Sequence, residues 1–211
     1  MNKDVKEAVR NAIVLLIITF VSGLALGGVY HITEEPIAAQ KELAVSRSCM
    51  AVFPPDMYAS EGLSFVLTDI KPSDTLAKGF KENGVTVGNI YGAYSGEGTF
   101  EGYAIEVTSS EGYGGDIKIM CGISAEGRLN GVSILEISET AGLGMRAESV
   151  LVPQLHGLNS EHITFTKTSK QSPDEIDAIS GATVTTTAFV NCVNASLDVF
   201  AEISSAEGGA S

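Results

Sequence analysis

The stretch D-A-I-S-G-A-T-V-T-T-T (Asp177–Thr187) crowds Ser180, Thr183, Thr185, Thr186 and Thr187 into a few positions, three residues beyond a carboxylate, Asp177. No general base neighbours these hydroxyls in sequence, so a hydrolytic serine or threonine nucleophile has no support. The periodicity that follows predicts a helix from about Ala182 to Phe200. Ser180 is then expected as its N-cap, with Thr183 in the first turn. Unpaired backbone N–H groups and the positive end of the helix dipole would meet there, an arrangement suited to a phosphate. β-Branched threonines are poor material for starting a helix, which suggests that their hydroxyls are used.

Two glycine-containing stretches are the other candidates for chemistry. E-G-Y-G-G (Glu111–Gly115) precedes a strand and by itself reads as a hairpin turn. S-E-T-A-G-L-G-M-R (Ser138–Arg146) follows a strand and is a loop whose glycines permit close backbone approach. It is too short for a dinucleotide fingerprint leading into a helix, and it lacks the G-K-[ST] ending of a P-loop. Cys49, Cys121 and Cys192 form no C-x-x-C pair, and His31, His156 and His162 are equally scattered. A zinc or iron–sulfur site is therefore not expected, and the thiols read as buried structural residues.

These stretches need elements to hold them. Short alternating runs at Gly88–Tyr94, Gly102–Val107, Asp116–Ile123 and Asn130–Ile137 predict strands of an antiparallel meander. Phe189, Cys192, Val193, Ser196, Leu197 and Phe200 form one helical face suited to packing on such a sheet. The class expected is α+β, an antiparallel sheet with helices packed to one side. Upstream, Pro36 is expected to break the chain, Ile37–Met50 to form a helix, and Pro54–Pro55 to stop it. The polar stretch from there to about residue 85 carries no readable period.

The N-terminus differs in kind. Asn11–Thr33 contains no Asp, Glu, Lys or Arg, and Ala12–Val29 is 18 residues of nearly unbroken apolar character. As a helix that run spans about 27 Å, close to the hydrocarbon core of a bilayer. It exceeds the roughly 7–15-residue apolar region of a secretory signal, so an uncleaved anchor is expected. Lys3, Lys6 and Arg10 precede it, while Glu34 and Glu35 follow. The positive-inside rule then puts the N-terminus in the cytoplasm and the remaining domain on the extracytoplasmic side of the cell membrane. A formal net charge of −13 argues against nucleic acid as a partner.

Asp177–Thr183 matches the D-x-x-[ST]-G-A-T signature of domains carrying covalent FMN, and the chain resembles that family. Glu139–Gly144 is similar to the family's E-T-P-G-L-G loop, with Ala141 in place of proline. Gly112–Gly115 resembles the segment that approaches the flavin ring. The resemblance is nearest to the G subunits of Rnf ion-translocating oxidoreductase complexes. The equivalent C subunits of Na+-translocating NADH:quinone reductases share the motif and topology. A non-redox module binding a phosphate ligand is the more distant alternative.

The resemblance implies FMN joined through its phosphate to Thr183 by a flavin transferase. It also implies Ser180, Gly181, Ala182, Thr185 and Asp177 around the phosphate, and Glu139, Thr140, Leu143, Gly144, Tyr113 and Gly114 around the ring. It implies a membrane-bound electron-relay subunit working with other membrane subunits in a ferredoxin:NAD+ oxidoreductase coupled to Na+ or H+ movement. The organisation expected is a cytoplasmic N-terminus (1–10), a transmembrane helix (11–32), a membrane-proximal segment (33–85), an FMN-binding domain (86–203) and a flexible tail (204–211).

Overall fold

A computed structural model describes residues 3–54 and 62–208. Pro55, expected to act with Pro54 as a stop, and tail residues 209–211 lie outside the described residues. The chain divides into two compact units, Met1–Ala44 and Val45–Ser211.

The first element, α1 (Lys3–Ala51), is a single 49-residue helix. Its apolar run is exposed throughout, and it is long and apolar enough to cross a membrane. Pro36 lies inside this helix rather than ending it, contrary to the sequence expectation. A proline removes one helical hydrogen bond and crowds the preceding turn, at about 3 kcal/mol. Helical turns flank it on both sides, however, so no second nucleation is required. The helix ends at Ala51, ahead of Pro54.

The second unit is built on an antiparallel sheet in the order β1-β2-β3-β4-β5. Its strands are β1 (Ser64–Leu67), β2 (Val85–Tyr94), β3 (Phe100–Ser109), β4 (Ile117–Ser124) and β5 (Leu129–Ile137). The last four are the meander expected from the alternating runs. The unassigned stretch before them contributes β1, which pairs with β2, and the helix α2 (Asp74–Glu82). Ser73 caps α2, accepting the Leu76 N–H.

Alternation in the central strands makes two cores. Tyr103, Ile105 and Val107 of β3, with Ile117, Ile119, Cys121 and Ile123 of β4, face the long C-terminal helix α4 (Thr183–Gly208) and Phe80 of α2. The intervening Ala104 and Met120 face the opposite way, toward Cys49, Val52 and Phe53. The sheet therefore has cover on both faces, where helices on one side alone were expected. The last turn of α1 supplies the second layer.

After β5 come a 3-10 turn (Gly144–Arg146), the short helix α3 (Ala147–Val150), a second 3-10 turn (Val152–Leu155), and strands β6 (Thr164–Thr166) and β7 (Glu175–Asp177). β6 and β7 pair in parallel, and at three residues each they are too short to leave a readable period. Asn194 of α4 binds this region, accepting the Ile163 N–H at 2.8 Å and donating to the Ile163 carbonyl at 2.9 Å. The face of α4 is as expected: Phe189, Cys192, Val193, Ser196 and Leu197 are buried. The helix runs on to Gly208, so Ser204–Gly208, at the start of the expected tail, is helical.

The α1 layer depends on one glycine. A Cβ on Gly122 would collide with the Val52 carbonyl and stand 2.7 Å from the Val52 Cβ. Gly122→Ala should destabilise the full chain in detergent by about 1–3 kcal/mol through overpacking. Urea unfolding followed by circular dichroism measures this, and an unchanged midpoint would mean that Val52 does not press on the sheet.

Candidate functional site

Three loops meet at the start of α4. Ile179 is buried, and its N–H is bonded to the Thr186 hydroxyl at 3.2 Å; that hydroxyl donates to the Ala182 carbonyl at 2.9 Å. Thr186 thereby closes the helix start from within and does not reach a ligand. Gly181 sits at φ +81°, a left-handed conformation that L side chains rarely adopt, and it turns the chain into the helix. α4 begins at Thr183, so Ser180 stands outside the cap position expected for it. Ser180 is exposed.

Thr183, half-buried as the first helical residue, opens onto a cleft of about 470 Å³. The cleft is lined by Gly181, Ala182, Val184 and Thr185 from the helix start, Glu139, Thr140, Leu143 and Gly144 from the loop after β5, and Tyr113 from the β3–β4 loop. A Cβ on Gly144 would lie 2.8 Å from the Thr185 hydroxyl oxygen and 2.7 Å from the Glu139 Cβ. Only glycine lets these two walls approach so closely. Glu139 joins the remaining wall, its Oε1 accepting the Tyr113 N–H at 2.8 Å.

Of the residues named from sequence, Thr183, Gly181, Ala182, Thr185, Glu139, Thr140, Leu143, Gly144 and Tyr113 line one cleft. Gly114 is beside Tyr113, packed on the Ser138 carbonyl. Ser180 and Asp177 are not in the lining. Asp177 works in the fold: its carboxylate accepts the Lys170 N–H at 2.7 Å, and its own N–H and carbonyl bond the Gln154 side chain. The short strand β7, invisible in the sequence, is what commits Asp177 to that task. Val184 was not anticipated. It is 49% exposed at the second position of the helix, and its one sequence-level hint is that an apolar residue falls there outside the apolar face of α4.

The cleft can take a ring system and a phosphate together. Its volume falls within the roughly 300–1,000 Å³ typical of small-molecule sites. The Tyr113, Leu143 and Val184 side chains, all exposed, give it apolar walls. The first turn of α4 offers backbone N–H groups without helical acceptors. The FMN requirement of a planar apolar surface beside an anion site is thus met by the residues present.

The three cysteines stand apart from it, each buried and unpaired by disulfide. Burial, aided by Glu106, pushes the Cys49 thiol up to about 11. Burial pushes Cys121 up to about 12 and raises Cys192 as well.

These features define an α+β flavin-type binding domain attached to a long apolar helix, and comparison with known proteins agrees. The FMN-binding domain family matches residues 112–198, which contain all three walls of the cleft. The RnfG N-terminal region matches residues 1–52. The G subunit of the Na+-translocating ferredoxin:NAD+ oxidoreductase complex of Acetobacterium woodii is 35% identical over 109 residues, 51% of this chain and 53% of that protein. This alignment thus spans about half of that relative's length.

The G subunit of the ion-translocating oxidoreductase complex of Haemophilus influenzae is 29% identical over 191 residues, 89% of this chain and 87% of its own. The counterpart from the proton-translocating ferredoxin:NAD+ oxidoreductase complex of Clostridium ljungdahlii is 29% identical over 185 residues, 87% and 86% of the two chains. The chain is thus similar to RnfG-type subunits over its N-terminal region and, through the FMN-binding domain match, over the part that carries the cleft. The crystal structure of Shewanella oneidensis NqrC shares the fold, with a TM-score of 0.56 at 13% identity, covering 80% of this chain and 99% of that one.

Two outcomes test this arrangement. Thr186→Val should cost about 1–3 kcal/mol, because the buried Ile179 N–H loses its acceptor; urea unfolding of the full chain measures it. At pH 8 the native chain should leave Ellman's reagent unreacted, and guanidinium should release all three thiols. Reaction in the native state would reveal an accessible thiolate.

Proposed function

We propose that the cleft holds FMN as a phosphoester on the Thr183 hydroxyl, and that the chain is the membrane-anchored flavin electron-transfer subunit of an Rnf-type complex. The observation that carries this reading is the position of Thr183. It is the first helical residue of α4, at the edge of a cleft walled by two glycine loops. A phosphate on that oxygen meets the free N–H groups and dipole of the helix start, which offset its negative charge. Bound FMN supplies one- and two-electron redox chemistry.

The residues have separate tasks. Gly181 and Ala182 leave the approach to Thr183 open, with Ala182 buried and Gly181 bare of side chain. Thr185 presents a hydroxyl beside Gly144. Leu143 and Tyr113 provide apolar surface for the ring and exclude water from part of it. Attachment is assigned to an outside catalyst, a flavin transferase: Glu139 is the one carboxylate among the residues lining the cleft, and its Oε1 accepts the Tyr113 N–H.

Membrane association follows from the apolar helix, with the N-terminus in the cytoplasm and the cleft on the extracytoplasmic side by the positive-inside rule. A covalent link suits that side, where a lost cofactor has no cytoplasmic pool to replace it. The neighbouring subunits of the complex would carry the ferredoxin and NAD+ sites. The match of residues 1–52 to the RnfG N-terminal region favours this complex over the quinone reductase.

Full-length chain produced with a flavin transferase should gain the mass of FMN less one water and show a fluorescent band after denaturation. Thr183→Ala should lose both while keeping its circular dichroism spectrum. An unmodified wild-type chain under these conditions would overturn the reading.

A further inference from the structure

Glu139 bridges two walls of the cleft. It lies just beyond β5 and is half-buried. Oε1 accepts the Tyr113 N–H at 2.8 Å, across 26 residues of chain. The same oxygen is 3.0 Å from where a Cβ on Gly112 would stand. Oε2 is 2.8 Å from the corresponding point on Gly144, whose own neighbour is the Thr185 hydroxyl. The side chain therefore fills the space between the β3–β4 loop and the turn that packs on α4. Both of its oxygens are turned to the protein walls.

Tyr113 has little else to fix it. Its ring is 74% exposed, so packing does not set its place, and its position on the wall follows from its backbone. The remaining amide bonds of that loop are at its base, Ser110 N–H to the Gly84 carbonyl and Glu111 N–H to the Ser109 hydroxyl. We propose that Glu139 is a positioning residue: it holds the Tyr113 backbone so that the tyrosine ring closes one side of the cleft over the flavin. This rests on the FMN reading above. It assigns Glu139 to act through Tyr113 and not on the cofactor.

An acceptor oxygen is all this task requires, so a glutamine can perform it and an alanine cannot. The test has one arm without flavin and one with it. In the flavin-free full chain in detergent, amide exchange in the peptide covering residues 110–116 should quicken several-fold in Glu139→Ala and stay near wild type in Glu139→Gln. In the chain carrying flavin, a tyrosine held over the ring quenches its emission. Glu139→Ala and Tyr113→Ala should each raise native-state emission several-fold toward the denatured value. Glu139→Gln should not, and Glu139→Ala should add nothing in a Tyr113→Ala background. All variants should keep the added mass.

Wild-type exchange in Glu139→Ala would overturn the proposal, whether or not flavin attaches. A double variant brighter than Tyr113→Ala would overturn it too, since Glu139 would then act on the ring directly. Loss of attachment in Glu139→Ala with a native circular dichroism spectrum would also overturn it, assigning Glu139 to recognition by the transferase. A wild-type chain lacking the added mass would instead remove the FMN reading.

Discussion

Phe189, Cys192, Val193 and Ser196 are buried on the face of α4 that meets β3 and β4, and the position of the helix start follows from that contact. An apolar face of this size sets the helix on the sheet to within a side chain's width, because close-packed interiors tolerate little sliding. The helix start is then placed relative to the strand ends. The loops after β3 and β5 leave the same end of the sheet, so they come to Thr183 without any long excursion. The cleft is a consequence of helix-on-sheet packing, with the glycines at 144 and 181 removing the last obstacles to approach.

Much of this arrangement could be read from the residues. The face of α4 repeats at helical spacing over several turns, and β2–β5 alternate between glycine-rich turns; both patterns arise from burial on one side and survive in sequence. Nine of the cleft's residues were likewise named from motif stretches, since glycines and clustered threonines are costly choices that local structure alone does not favour. The elements that escaped are short or stabilised from outside. β1 and β6–β7 hold only three or four residues, too few for a period, and they form because partners are already in place.

The errors share a cause. Pro36 as a breaker and Ser180 as a cap are both inferences from local chemistry. In each case a neighbour decided otherwise. Helical turns on both sides carry α1 across Pro36. Thr186 reaches back to the Ile179 N–H, so the helix starts without a serine cap. The second cover of the sheet was hidden for the same reason. The end of α1 looks like ordinary helix until Ala104, Met120 and Gly122 are seen facing it.

The distribution of exposed apolar side chains bears on how such a domain can work. Among the described residues of the Val45–Ser211 unit, the exposed large apolar groups are Met50, Val66, Leu67, Tyr113, Leu143, Met145 and Val184. Tyr113, Leu143 and Val184 line the cleft, and Met145 is one residue beyond its Gly144 wall. Exposed apolar groups gathered in one place are informative where isolated ones are not. The chain has neither a cysteine cluster nor a dinucleotide fingerprint to serve as a second redox centre. Electrons handled by a single flavin must enter and leave at the same site, so that site has to stay near the surface. A wall built from mobile loops would leave the ring open to water. A wall tied by the Glu139 carboxylate to the loop after β5 keeps the cleft both accessible and shaped.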